Sequence, residues 1–199
     1  WVREMRRLFY CGEWIESHAL HIHLLAAPDF LGYPSAIAMA KNFPAQVRRG
    51  LRIQEAGNAI IRLFGGRSVH PVGARIGGFH RAPSPEAVRE MLSKLQSVRE
   101  DARELVRWVA GLPFPDDVQT FTSVSLRHPD EYPMNEGNIV SSDGLDIPID
   151  EYQKHFSEYQ VPHSTALHAR LHGKPYLVGP LARLNNNLDR LPPPIRKVL

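Results

Sequence analysis

Apolar residues recur at helical spacing in the first half of the chain and give way to shorter, irregular patterns in the second. From Met5 to about Ala27, Leu8, Ile15, Leu20, Leu24 and Ala27 mark one face of a helix, and Pro28 with Gly32 is expected to stop it. A second helix is predicted from Ala45 to Phe64, with Gly65 and Gly66 as its C-terminal stop. The clearest signal runs from Pro85 to Ala110. Ser84 is a suitable N-cap, Pro85 suits the first helical position, and Val88, Met91, Leu92, Leu95, Val98, Ala102, Leu105, Val106 and Val109 form one stripe before Gly111. Shorter helices are predicted at Ile149 to Tyr159 and Pro180 to Leu188. "TFTSVSL" (120–126), "NIVSS" (138–142) and "PYLV" (175–178) have the composition of strands between turn residues. The pattern predicts a mainly α fold with a small β element, an α+β class.

Composition narrows the choice of chemistry. With 199 residues, 43% hydrophobic and 23% charged, the chain can bury a core of its own. The net charge of +3 is spread along the sequence, which argues against nucleic acid as a partner. No apolar run reaches the ~20 residues of a membrane span, and the richest one, Ala19 to Ala27, carries His21 and His23. A single cysteine, Cys11, excludes an internal disulfide framework and any Cys-x-x-Cys pair within these residues. A reducing, cytoplasmic setting is therefore expected. The sequence opens as if inside a helix and closes on "LPPPIRKVL", the beginning of another, so both ends read as cut.

Two stretches carry candidate chemistry. In "ESHALHIH", His18 and His21 stand three apart on a helical face shared with Trp14 and Leu25, while His23 points elsewhere. Two histidines at that spacing can hold a metal or pass a proton, but with no third ligand in view the residues themselves favour a partly buried, hydrogen-bonded pair. The lone Cys11 reads as a small core residue. The second stretch, "GGRSVHPVGARIGGFHRAP" (65–83), holds five glycines, three arginines and two histidines. It lacks the spacing of either common phosphate loop. Its glycine pairs permit tight bends or close backbone approach, and His70 and Arg75 sit between them.

That stretch resembles the glycine-rich GR-x-x-HP…GG segment of [NiFe]-hydrogenase large subunits, and its "GGFHRAP" ending is similar to the cytoplasmic, cofactor-linked class that includes NAD(P)-linked, sulfur-reducing and deazaflavin-reducing enzymes. "GEWIESHALHIHLLAAPDFLG" (12–32) and "HSTALHARLHGKPYLVGPLARLN" (163–185) resemble two further segments of the family, in the same order. The resemblance implies reversible oxidation of H2 at a Ni-Fe centre bearing CO and cyanide ligands. It also implies electron transfer to a small subunit with iron–sulfur clusters, and onward to a diaphorase or similar module. The family binds its metals through two Cys-x-x-Cys motifs, neither of which is in this chain. Residues 1–199 are therefore expected to be an internal part of one large-subunit domain, with no metal ligands and no activity of their own.

By the same resemblance, His18 and His21 match two histidines of the helix near the metal site, with Ser17 where other classes carry aspartate. His70 matches a histidine facing the small subunit's nearest cluster, with Arg67 beside it, and Gly66, Gly77 and Gly78 shape the loop. Two alternatives share parts of the pattern. One is a quinone-handling scaffold like the large subunit of respiratory complex I, which also contains "RIGG". The other is a degenerate relative that only docks a partner.

Overall fold

The computed structural model describes residues 1–197, which form two compact units, 1–115 and 116–197. Unit 1 is built on three long helices, with shorter helical segments between the first two. α1 (Val2–Leu20) runs directly into a wider π-helical segment, His21–Ala26, and then into one further α-turn, α2 (Ala27–Phe30). The predicted first helix is thus present, but it begins earlier, changes pitch and continues through Pro28. The widening lies immediately before that proline, whose ring has no N–H and would clash with the carbonyl of Leu24 in a regular α-turn.

After the short α3 (Ala36–Met39), α4 (Pro44–Gly65) packs along α1. Their backbones cross closely at Gly12 and Gly57. A Cβ on Gly57 would lie 2.5 Å from Glu16 N and 2.7 Å from Gly12 O, so only glycine permits this approach. The predicted bounds of α4 hold to within a residue, and Gly66 closes it in the left-handed conformation, φ +79°.

α5 (Pro85–Ala110) has the predicted ends. Ser84 Oγ accepts from Ala87 N at 3.1 Å, and Pro85 occupies the first turn. α5 is tied to α4 by a two-pronged ion pair, Arg52 Nε and Nη2 to the Asp101 carboxylate at 2.8 and 2.7 Å, and by Lys94 to Glu55 at 3.2 Å. Its apolar stripe is only partly covered: Met91 and Leu95 pack against the core while Val88 and Leu92 stay exposed. Between α4 and α5 lies a two-residue hairpin, β1 (Ala74–Arg75) and β2 (Gly78–Phe79). Phe79 anchors it in the core of Ile60, Phe64, Phe9 and Leu8, with ring centroids 5.5 Å from Phe64 and 6.0 Å from Phe9.

Unit 2 is mostly β. A three-stranded antiparallel sheet, β3 (Val124–Arg127), β4 (Asn138–Ser141) and β5 (Asp146–Ile147), precedes a 3-10 turn, Ile149–Glu151, and α6 (Tyr152–His155). An antiparallel hairpin follows, β6 (Phe156–Tyr159) with β7 (His168–Leu171). Val124, Ile139, Ile147, Phe156 and Leu171 form one core under both sheets.

Two expectations are corrected here. The helix predicted from Ile149 to Tyr159 lasts one α-turn, because Phe156 turns extended (φ −107°, ψ 140°) to bury its ring opposite Leu171. "PYLV" is not a strand. Hemmed by Pro175 and Gly179, it makes one parallel bridge, with Val124 N bonding Leu177 O and Leu177 N bonding Thr122 O at 2.8 and 2.9 Å. α7 (Pro180–Asn187) matches its prediction and extends into a 3-10 turn, Leu188–Arg190. The buried Asn187 amide bonds Leu126 O and Arg183 O, both at 3.0 Å, pinning α7 to β3. The helix expected at the end is a single turn, α8 (Pro193–Arg196), and the last two residues of that stretch lie outside the described residues.

The mainly helical first unit and the small sheets of the second bear out the α+β reading.

Candidate functional site

The loop from Gly65 to Pro83 is held by backbone bonds to the end of α4. Gly65 O accepts from both Val72 N (3.0 Å) and Gly73 N (2.9 Å), and His80 N bonds Gly73 O at 2.8 Å. Arg6 of α1 donates to Arg75 O at 3.0 Å. The missing side chain of Gly65 makes room for Pro71, and Gly77 turns the hairpin tip at φ +84°. This frame leaves the rest of the loop outward. Val69, Val72 and Ile76 are 66%, 62% and 103% exposed.

His70 is exposed, and Arg67 Nε donates to its carbonyl at 2.6 Å. The pairing of Arg67 with His70 thus runs through the backbone, leaving the imidazole unengaged by that guanidinium. A residue that precedes proline, as His70 precedes Pro71, ordinarily adopts an extended backbone. Instead the φ of His70 is +50°, because the Arg67 bond and the double bond to Gly65 O close the turn around it. His70 lines a groove of about 430 Å³ between the loop and the two long helices, together with Glu13, Glu16, Asn58 and Ser68. The two carboxylates were not anticipated. Their i,i+3 spacing on α1 was visible in the sequence, but nothing there placed them against the loop.

The other candidates lie further along the same helical run, Ser17 and His18 near the end of α1 and His21 at the start of the π-helical segment. Ser17 and His21 are exposed, and His18 is half-buried beside Trp14, ring centroids 6.2 Å apart. None of the three is among the residues that line the groove. Among the described residues no group of three or more His, Cys, Asp or Glu is arranged to hold a metal ion.

The histidine with the most unusual surroundings is His23. It is fully buried in the π-helical segment, its Nδ1 lies 3.1 Å from Ala19 O, and its ring stacks on Trp108 at 5.5 Å. Gly50 of α4 packs flat on it: a Cβ there would sit 2.5 Å from His23 Cβ. Burial pushes its pKa below the ordinary 6.5, the Ala19 carbonyl opposes this, and the Arg49 charge adds to it. The imidazole is thus neutral, with Nδ1–H donating to Ala19 O and Nε2 without a protein partner. An α-helical wheel misplaces His23, because the π-turn rotates every residue after Leu20.

No protein-family model matches the chain. Individual relatives do. It is 31% identical over 193 residues to sulfhydrogenase 1 subunit alpha of Pyrococcus furiosus, covering 96% of this chain and 45% of that protein. It is 35% identical over 183 residues to sulfhydrogenase 2 subunit alpha of the same organism, covering 92% and 42%. Among solved structures it matches an NAD+-reducing [NiFe]-hydrogenase in its H2-reduced state with a TM-score of 0.79 and 26% identity, over 93% of this chain and 47% of that one. The chain therefore spans about half the length of the relatives it matches. With agreement in sequence and in backbone over nearly all of its own residues, the chain belongs to the family of [NiFe]-hydrogenase large subunits.

Proposed function

We propose that residues 1–199 are an internal part of one large-subunit domain in the catalytic subunit of a nickel–iron hydrogenase, which oxidises H2 reversibly to protons and electrons. The observation that carries this reading is the loop 65–83. It is anchored at Phe79 and tied to Gly65, yet presents His70, Val69, Val72 and Ile76 outward. An exposed, well-braced surface of that kind suits a permanent partner.

The donor set does not fit a Ni-Fe centre held by this chain alone. Such a centre calls for soft thiolate ligands, and the sequence has one cysteine, half-buried in α1. The thiolates, and with them the CO- and cyanide-bearing centre, are assigned to segments outside these residues. Within the chain, Ser17, His18 and His21 are assigned to the neighbourhood of that centre, where His18 and His21 would orient groups around it. His70 and Arg67 are assigned to the electron exit, facing the iron–sulfur small subunit, with a diaphorase or similar module beyond it in the cytoplasm. No helix among the described residues is long and apolar enough to cross a membrane.

The test separates the two halves of the reaction in the intact subunit bound to its small subunit. Isotope exchange between H2 and water reports splitting at the metal, and dye reduction through the small subunit reports electron exit. His70→Ala is expected to slow dye reduction while leaving exchange nearly unchanged. Absence of both activities in the unmodified, metal-loaded complex overturns the hydrogenase reading, and equal losses on substitution overturn the role of His70.

A further inference from the structure

The β6–β7 hairpin of unit 2 ends in a pair of histidines that neither the family likeness nor the sequence reading assigns. Phe156 pairs with Leu171, and the next position along the same register is His155 opposite His172, joined by His172 N to His155 O at 3.0 Å. Cross-strand partners hold their Cβ atoms about 5 Å apart, so the two rings must meet. His155 Nδ1 lies 2.8 Å from His172 Nε2, with ring centroids 5.0 Å apart. On the far side of His155, Nε2 faces Glu151 Oε2 at 3.9 Å, and Lys154 fixes the other oxygen of that carboxylate at 3.0 Å. His172 itself sits at φ +48°, a left-handed conformation uncommon for a residue with a side chain, followed by Gly173 at φ +77°.

We propose that His155 and His172 form a two-imidazole chelate for a divalent first-row transition ion, with Glu151 as the positioning residue behind His155. A metal bonded to imidazole nitrogens at about 2.0–2.1 Å spans neighbouring ligand positions roughly 3 Å apart, so the two nitrogens need separate by only a few tenths of an ångström while each ring turns to aim its lone pair at the ion. With the His155 proton on Nε2 toward Glu151, its Nδ1 accepts from His172 Nε2–H; the ion takes the place of that proton, which shifts to Nδ1 of the His172 ring, so both imidazoles stay neutral. Glu151 supplies what a metal-bound histidine ordinarily has, a carboxylate toward its other nitrogen. The positive φ of His172 belongs to the two-residue turn His172–Gly173, closed by Leu171 N to Lys174 O at 3.0 Å and Lys174 N to Leu171 O at 2.9 Å, and this turn sets the ring beside His155. Water completes the coordination, since among the described residues no third His, Cys, Asp or Glu converges there. The site therefore exchanges its ion readily and follows the usual affinity order, with Cu2+ above Ni2+ and Zn2+, and Mg2+ excluded by its preference for oxygen.

The test is calorimetric titration of the 199-residue chain with Cu2+, Ni2+, Zn2+ and Mg2+, each alone. The expected result is one equivalent of the first three, in that order of affinity, and none of Mg2+. His172→Asn keeps a residue that tolerates positive φ, and it or His155→Gln should weaken binding about tenfold or more, with Glu151→Gln a smaller loss. His163→Gln and His168→Gln, elsewhere on the hairpin, should change nothing. Unchanged affinity in a folded His172→Asn chain overturns the proposal, as does loss with His163→Gln or His168→Gln. If the variants do not fold, Ni2+ added to the unaltered chain decides by NMR: selective broadening of the His155 and His172 ring signals upholds the site, and broadening of other histidines alone refutes it.

Discussion

At the scale of the residue, His23 shows how one side chain can link local geometry to the pH response of a whole unit. Its ring is closed in by Gly50, Trp108 and the Ala19 carbonyl, so protonation would place a charge beside Arg49 in a buried position. The folded pKa is lowered from 6.5, while in the unfolded chain it returns to that value. Below pH 6.5 the unfolded state therefore binds more protons than the folded one. This contribution to stability is full above pH 6.5 and declines as the pH falls toward the depressed folded value, at no more than ~1.4 kcal/mol per pH unit. Denaturant melts of the chain between pH 8 and pH 5 should show this slope, and His23→Gln should flatten it. Equal slopes in the two proteins would mean that His23 titrates as freely when folded as when unfolded.

At the scale of the element, the crossing of α1 and α4 depends on the absence of two side chains. Alanine at position 57 would gain roughly 1 kcal/mol of helix propensity over glycine. Its Cβ, however, would press on Glu16 N and Gly12 O, backbone atoms that cannot rotate away. Overpacking of this kind costs about 1–3 kcal/mol or more, so the loss is expected to win and Gly57→Ala should lower the melting temperature of the chain. A raised melting temperature would show that the two helices slide apart at little cost.

The same contrast explains which elements the sequence made legible. α4 and α5 were readable to within a residue because their signals are local: Pro44 and Pro85 in the first turn, the Ser84 cap, and glycines at the far ends. β6 was not. Its residues follow a helical turn without a break, and what extends them is the distant Leu171. The π-turn at His21–Ala26 was hidden for a related reason, since it leaves the apolar residues in place while rotating them. For the candidate site, the tight bends of the loop were legible from its glycine pairs, but the left-handed turn at His70 was not, because it depends on the bonds from Arg67 and to Gly65 O. The groove with Glu13 and Glu16 required knowing that the loop folds back on α1.

At the scale of the whole molecule, the decisive quantity is how much apolar surface the described residues leave uncovered. Val69, Val72 and Ile76 project within eight positions of one braced loop, and Val88 and Leu92 stand exposed on a helix in which no residue is fully buried. A turn tip does not ordinarily carry a wholly exposed isoleucine beside two exposed valines, and water contact with such side chains costs on the order of 25 cal/mol per Å² that association would recover. If a partner covers the loop, as proposed, other copies of the chain are expected to take its place when it is missing. Sedimentation of the isolated chain should show concentration-dependent self-association, and Val72→Asp with Ile76→Asp should shift the population toward monomer without altering the helical circular dichroism. If a small subunit docks on this loop, as proposed, its binding should do the same for the unaltered chain, because the two associations would compete for one surface. A chain that sediments as a sharp monomer at every concentration, unchanged by the two aspartates, would mean that the loop is built to face water and that the partner docks elsewhere.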